Sequence, residues 1–324
     1  IIIGFSLKNS ASRREKMLWN NRYLYLFSLV VAALLHATGV RATENGQVKE
    51  ALASIEPETE DLEVVVVTAT RTERPISKSP LSTEVVDAEA IASSGARTVA
   101  ELLQRMTNLY LAPTFAGIGL EIQGLTSEYT LILVDGQKLP GRVGGVIDLS
   151  RLPLENVERI EIIRGASSAL YGADALAGVV NIITKESEES HFIKGSFGYG
   201  LNKSIDASAQ IGGRNGDLTS QLALGVRTSP GFDLSPDDIS TTGNAYEQIN
   251  ISHRSHLEVS KDFELEQRAD YLYRDQRGVE LRASGAVFDR SSRTETFSLH
   301  VAPKLNLSAN SNISMSTSYS MFRD

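Results

Sequence analysis

Residues 152–185 read LPLENVERIEIIRGASSALYGADALAGVVNIITK. Within them, Arg159–Arg164 (RIEIIR) and Val179–Thr184 (VVNIIT) are short, β-branched and largely apolar, the make-up of buried strands. Pro153 stands where the first turn of a helix accepts a proline, and Glu155 and Asn156 lead from it into the first strand. Gly165 and the run Ala169-Leu170-Tyr171-Gly172-Ala173-Asp174 separate the two strands. Upstream, Thr98-Val99-Ala100-Glu101 ahead of Leu102 and Leu103 has the spacing of a capping box, which predicts a helix ending near Met106. Leu109–Leu111, Glu121–Gly124 and Thr130–Val134 are further strands. Ala112–Gly119 (APTFAGIG) and Pro140–Gly145 (PGRVGG) carry the punctuation of loops, the second of them mobile. Asp135-Gly136, directly after TLILV, signals a tight hairpin. These elements make a compact mixed α/β region.

Outward on the N-terminal side, Tyr23–Leu35 (YLYLFSLVVAALL) is one apolar run preceded by Arg13, Arg14, Lys16 and Arg22. Val40-Arg41-Ala42 follows it, and the whole has the three-part layout of a secretory signal peptide cleaved after Ala42. The run is short for a membrane span of roughly 20 residues. Met17 is the expected start, so residues 1–42 stand outside the fold. Residues 43–61 are polar and acidic and read as a flexible leader. Leu62-Glu63-Val64-Val65-Val66-Val67-Thr68-Ala69 then turns abruptly apolar and β-branched. It reads as a first strand, and a strand tethered by a flexible leader can be lent to another protein's sheet edge.

On the C-terminal side the pattern changes to a period of two. Ile205, Ala207, Ala209 and Ile211 face away from Asp206, Ser208 and Gln210. Phe263, Leu265, Ala269, Tyr271 and Tyr273 oppose Glu264, Glu266, Arg268, Asp270 and Arg274. The same alternation runs through Ile193–Tyr199, Leu222–Val226, Phe297–Val301 and Ile313–Met321, and more weakly through Ile249–Val259, where His253 and Ser255 interrupt the apolar face. Apolar-out with polar-in, short turns at Gly212–Asp217, Ser260–Asp262 and a Pro303-Lys304 corner, and long connections at Thr228–Ala245 and Asp275–Ser292 fit the asymmetry of an outer-membrane barrel. Gly200–Ser204 is the one brief outer connection.

Three motifs stand in a known order. LPLENVERIEIIRGASSALYGADALAGVVNIITK resembles the closing segment of the plug domain of TonB-dependent outer-membrane receptors, TLILVDGQKL at Thr130–Leu139 is similar to the plug's central hairpin, and EVVVVTATRT at Glu63–Thr72 resembles the TonB box. The fold so implied is an α+β plug domain over 71–186, after a TonB box at 62–70, followed over 191–324 by antiparallel strands of an incomplete transmembrane β-barrel. The strands are too few to enclose a plug, since about eight strands hold only their own side chains and the plugged lumen belongs to barrels of about 22. The chain is therefore expected to be the N-terminal part of a longer receptor.

The resemblance implies an outer-membrane transporter of a Gram-negative bacterium. It would import a scarce, bulky nutrient, a ferric siderophore first and cobalamin or haem next, by energy-coupled displacement of the plug. TonB, with ExbB and ExbD, is the implied periplasmic partner, meeting Glu63, Val64, Val65, Val66, Val67, Thr68 and Ala69. Thr114 and Phe115 in the first loop and Arg142 in the second are the implied ligand contacts. In the family two plug arginines pair with barrel glutamates. Arg164 matches one of them, and the other position is Gln123, a departure.

Composition narrows the alternatives. The 324 residues contain no Cys, which removes disulfides, thiolate metal sites and cysteine nucleophiles together. A net charge of −8 without a basic run argues against nucleic acid as a partner. His253 and His256 would lie on opposite faces of a strand, and no serine has the Gly-x-Ser-x-Gly setting, so no enzyme, metal or cofactor is expected. A soluble periplasmic or secreted β-rich binding module is the rival class. Within the family, a signalling receptor would carry a folded domain ahead of the TonB box, for which 43–61 is too short.

Overall fold

A computed structural model of the chain describes residues 65–66, 74–75, 81–106, 109–114, 117–165, 168–186, 189–235, 237, 239–281, 284–308 and 311–324. All belong to one unit, Glu63–Asp324. The signal segment, the leader, Glu63, Val64, Val67, Thr68, Ala69 and Phe115 lie outside the described residues. β1 (Val65–Val66) pairs antiparallel with β2 (Arg74–Pro75). Then come β3 (Thr83–Val86), α1 (Ala88–Ser94), α2 (Val99–Leu103), β4 (Leu109–Thr114), β5 (Gly117–Ile122), β6 (Thr130–Val134), β7 (Gln137–Lys138), β8 (Val157–Arg164), α3 (Ser168–Tyr171) and β9 (Gly178–Thr184).

A five-stranded sheet of order β3-β8-β9-β6-β7 organises this plug-like region, with β6 and β9 parallel. Its central strands β8, β9 and β6 are apolar on both faces, which is why they read as continuous β-branched runs. Ile132, Ile160, Ile162, Val180 and Ile182 pack in one cluster with Ile91 of α1, Leu103 of α2, and Leu120 and Ile122 of β5. Leu131, Leu133, Ile163, Ala175 and Val179 form a smaller cluster on the other face. The turn between β6 and β7 places Asp135 at φ 47 and Gly136 at φ 74, the two positive values that a type I′ hairpin turn demands.

Five local features differ from expectation. α1 was not legible because only Ile91 of it is buried, so no apolar stripe marks it. Its ends are set by Asp87, whose carboxylate accepts the Ala90 N–H at 2.8 Å, and by Gly95 at φ 63. α2 stops at Leu103 rather than near Met106, because the Arg105 and Met106 N–H groups bond three residues back and tighten the last turn. Thr98 accepts from the Glu101 N–H at 3.2 Å as predicted, but Glu101 reaches back to the N–H of Arg97, not of Thr98. Pro153 opens no helix: a 3₁₀ turn at Leu149–Arg151 precedes it and its backbone bridges Thr98. Ala112–Gly119 is mostly strand, since β4 and β5 pair through Thr114↔Gly117.

The remaining chain is an antiparallel meander: β10 (Phe192–Tyr199), β11 (Ile205–Asn215), β12 (Leu218–Phe232), β13 (Gly243–Ser260), β14 (Phe263–Leu281), β15 (Val287–Ser308), β16 (Ser311–Ser314) and β17 (Thr317–Arg323), with β16 and β17 both paired to β15. Among the described residues the sheet is open, so the barrel is incomplete. Ladder pairing extends into both long outer connections. Pairing continues on polar residues such as Thr228↔Glu247 and Asp275↔Arg293, because backbone hydrogen bonds need no apolar face. The first turn is likewise shorter than predicted, Gly216-Asp217, and the second is Lys261-Asp262.

Pro303 is not a corner but lies inside β15. Its carbonyl accepts from the Met315 N–H at 3.0 Å. Its nitrogen therefore points to the same side, where the ladder breaks between β16 and β17 and no donor is needed.

The two faces of the meander settle its character. Phe197 is 75% exposed on one face, while Gln248, Arg227 and Thr294 on the other are 1%, 5% and 1% exposed. Polar residues are inside and aromatics outside, the inversion of a soluble sheet. No helix among the described residues is long and apolar enough to cross a membrane, a test that does not bear on strands.

Candidate functional site

The polar face of the meander carries side chains that reach the plug-like region, where they meet both backbone carbonyls and side chains. Arg227 on β12 donates to the Arg97 carbonyl at 2.9 Å, pairs with Glu155, and is held from its own side by Asp206 at 2.9 Å. Gln210 reaches the Glu155 carbonyl at 3.0 Å, and Gln248 the Arg151 carbonyl at 3.0 Å. Arg274 donates to Gln248 at 3.1 Å and lies over the Tyr246 ring at 4.5 Å. Lower on the wall, Arg254 bonds Thr184 and Glu186, and Arg268 bonds Asp135. A cavity of about 250 Å³ opens along this seam, lined by Leu139, Pro140 and Ile147 of the plug side and by Ala223, Ser252 and Ser298 of the wall.

On the plug, Asp148 ties the β4–β5 hairpin to the body. It is 5% exposed and accepts from the Ile118 N–H at 2.9 Å, the Ser150 N–H at 3.1 Å, the Ser150 hydroxyl at 2.7 Å and Arg151 Nε at 2.9 Å. Gly117 is required there: its φ is +121, and a Cβ would fall 2.1 Å from Asp148 Cγ.

The predicted contacts sit as follows. Thr114 is exposed at the end of β4, its hydroxyl donating to the Gly117 carbonyl at 2.9 Å. Arg142 does not project freely. It donates to the carbonyls of Ser127, Gly145 and Thr130 at 2.7, 2.8 and 3.0 Å. Burial pulls its pKa down, with Asp174 and Glu128 acting in the opposite direction. With the Val143–Val146 bridge it pins Pro140–Gly145, which is thus an anchored turn rather than a mobile loop. Arg164 pairs with Glu84 on β3, inside the plug. Val65 and Val66 form β1, in register with Pro75 and Arg74. His253 bonds the Ser220 hydroxyl on the outer face, and among the described residues no cluster of three His, Asp or Glu side chains could hold a metal. Alternation marked the polar wall residues in the sequence, but nothing in it named their plug partners.

Comparison with known proteins bears directly on this arrangement. Residues 75–179 match the family described as TonB-dependent Receptor Plug Domain. The chain thus carries a TonB-dependent receptor plug domain over that segment. It is 34% identical over 186 residues to the vitamin B12 transporter BtuB of Vibrio cholerae serotype O1, a match covering 55% of this chain and 30% of that protein. It is 30% identical over 192 residues to BtuB of Photobacterium profundum, covering 58% and 32%. The chain thus spans about a third of the length of the curated relatives it matches. Among solved structures, the siderophore receptor PiuA of Acinetobacter baumannii superposes with a TM-score of 0.63 at 18% identity, over 76% of this chain and 37% of that one. The ferric enterobactin receptor PfeA of Pseudomonas aeruginosa gives 0.60 at 20% identity, over 74% and 41%. At these identities the structural likeness speaks for the fold alone: a TonB-dependent receptor plug against the opening strands of a barrel.

Proposed function

We propose that this chain is the plug and first wall of an outer-membrane transporter that imports a bulky metal chelate under TonB control. The chemistry shared by ferric siderophores, cobalamin and haem is a metal ion wrapped in a large organic ligand too big for passive pores. The observation that carries the reading is the plug seated on the polar, concave side of strands whose other side is apolar. Such a plug closes a wide bore, and a closed bore needs energy to open. The ferric siderophore remains the first ligand, and the sequence relatives named as vitamin B12 transporters favour cobalamin as a second. Thr114 at the end of β4, with Phe115 next in sequence, would touch the ligand, and Arg142 would act by holding the turn at Pro140–Gly145.

Coupling would run through Glu63–Ala69, of which Val65 and Val66 would exchange their pairing with β2 for an edge of TonB by β-augmentation. Val66→Pro removes a backbone N–H and should abolish uptake. With the gene in its native context, the expected result is loss of labelled cyanocobalamin or ferric-siderophore accumulation with unchanged surface binding. Uptake retained in that variant would overturn the assignment, and whichever of the two ligands is accumulated by the parent identifies the chelate.

A further inference from the structure

The geometry points to a charge latch at the seam between plug and wall, formed by Asp135 and Thr184 of the plug with Arg268 and Arg254 of the wall, that governs how readily the seam opens. Asp135 heads the β6–β7 turn in a left-handed conformation that Asp and Asn accept more readily than most residues. Its Oδ1 accepts from the Thr184 N–H at 2.8 Å, and its Oδ2 accepts from the Thr184 hydroxyl at 2.8 Å and from the Arg268 guanidinium. Arg268 is fixed from behind by Asp270, with Nε to Oδ2 at 2.8 Å and Nη2 to Oδ1 at 3.2 Å. Arg254 Nη1 donates to the Thr184 hydroxyl at 3.0 Å, and its Nη2 donates to Glu266 at 2.7 Å and to Glu186. The Thr184 hydroxyl thus accepts from one arginine and donates to the carboxylate that holds the other.

Across the seam the cations stand on β13 and β14 and the carboxylates on the plug, and Arg164 pairs with Glu84 within the plug. Asp135, Arg254 and Arg268 expose only 17%, 17% and 14% of their side chains. In so little water, removing Arg268 leaves Asp135 buried without the cation it bonds, and removing Asp135 leaves Arg268 bonded to Asp270 of its own strand and no longer to the plug, so the pair favours the closed seam. The latch joins the end of the parallel β6–β9 pair to the wall beside the seam cavity, whose lining includes Ala223.

The chain has no Cys, so Ala223→Cys supplies a single reporter in the cavity. The measurement is the rate of modification by a small water-soluble maleimide, in outer-membrane vesicles carrying the protein from its native gene. Asp135→Asn and Arg268→Gln should each raise the rate about tenfold, and the double variant should go no further, as residues of one network behave. Thr184→Ser, which keeps the hydroxyl, should label at the parent rate, and Thr184→Val, which keeps the volume, should label faster. Unchanged rates in the single variants, a multiplied effect in the double, or Ser faster than Val would overturn the latch. If a charge variant does not assemble in the membrane, the Thr184 pair carries the same prediction with every charge retained. The latch rests on the plug-in-barrel reading, but its test needs neither nutrient nor TonB. Unchanged labelling with uptake intact would sink the latch alone, and absent uptake with labelling responsive would sink only the transport assignment.

Discussion

At the scale of single residues, the plug depends on a few acceptors that each satisfy several donors. Asp148 is the clearest: two backbone N–H groups, a hydroxyl and a guanidinium converge on it while it is 5% exposed. Asp148→Ala would leave Arg151 and the Ile118 N–H buried without their acceptor, at a cost of roughly 3 kcal/mol. The expected result is hydrogen exchange at Ile118 faster by about a hundredfold, with the amides of β9 little changed. Equal protection in parent and variant would show the hairpin to be held by apolar packing alone. Arg142 illustrates the opposite lesson. A loop arginine reads as a free cation, yet three carbonyls of its own neighbourhood claim it, and nothing in a one-dimensional pattern says which way a long side chain turns.

At the scale of elements, the apolar central strands were legible, while the edge strand β3 (Thr83–Val86) and the short helices were not. β6, β8 and β9 appeared within a residue or two of their ends because unbroken β-branched runs have no competing helical reading over so few residues. α1 buries only Ile91, and α2 buries four of its five residues and is too short for a 3.6-residue period to emerge, so only the cap at Thr98 betrayed the second. That cap also sets the prediction at this scale. Thr98→Ala removes the acceptor of the Glu101 N–H at 3.2 Å and should cost about 1 kcal/mol, measured as a lower denaturation midpoint by near-ultraviolet circular dichroism. Thr98→Ser, retaining the oxygen, should recover most of it. In the wall, the ladders outrun the apolar segments at their outer ends, so alternation located the lipid-facing stretches and underestimated the hairpins.

At the scale of the whole molecule, the meander presents its large apolar side chains outward and its buried charge inward. Ile193, Phe197, Tyr199, Ile313 and Tyr319 are 58%, 75%, 66%, 57% and 59% exposed, and water is a poor solvent for such a face. The protein expressed from its native gene should therefore stay with the membrane fraction through high salt and leave it only in detergent. Extraction by salt alone would favour the soluble binding module over the barrel.

The sequence by itself determined the α/β region, the change of period after it, the hairpin at Asp135-Gly136 and the resemblance carried by residues 152–185. Each of these is written in neighbours along the chain: β-branching, alternation, and the residue types a tight turn accepts. Only the tertiary structure decided that Asp135 belongs to Arg268, that Arg227 bonds the Arg97 carbonyl and Glu155 of the plug, and that Arg164 meets Glu84 of the neighbouring strand. Those pairings join residues far apart in the chain, and their charges find one another only because the fold removes them from water together.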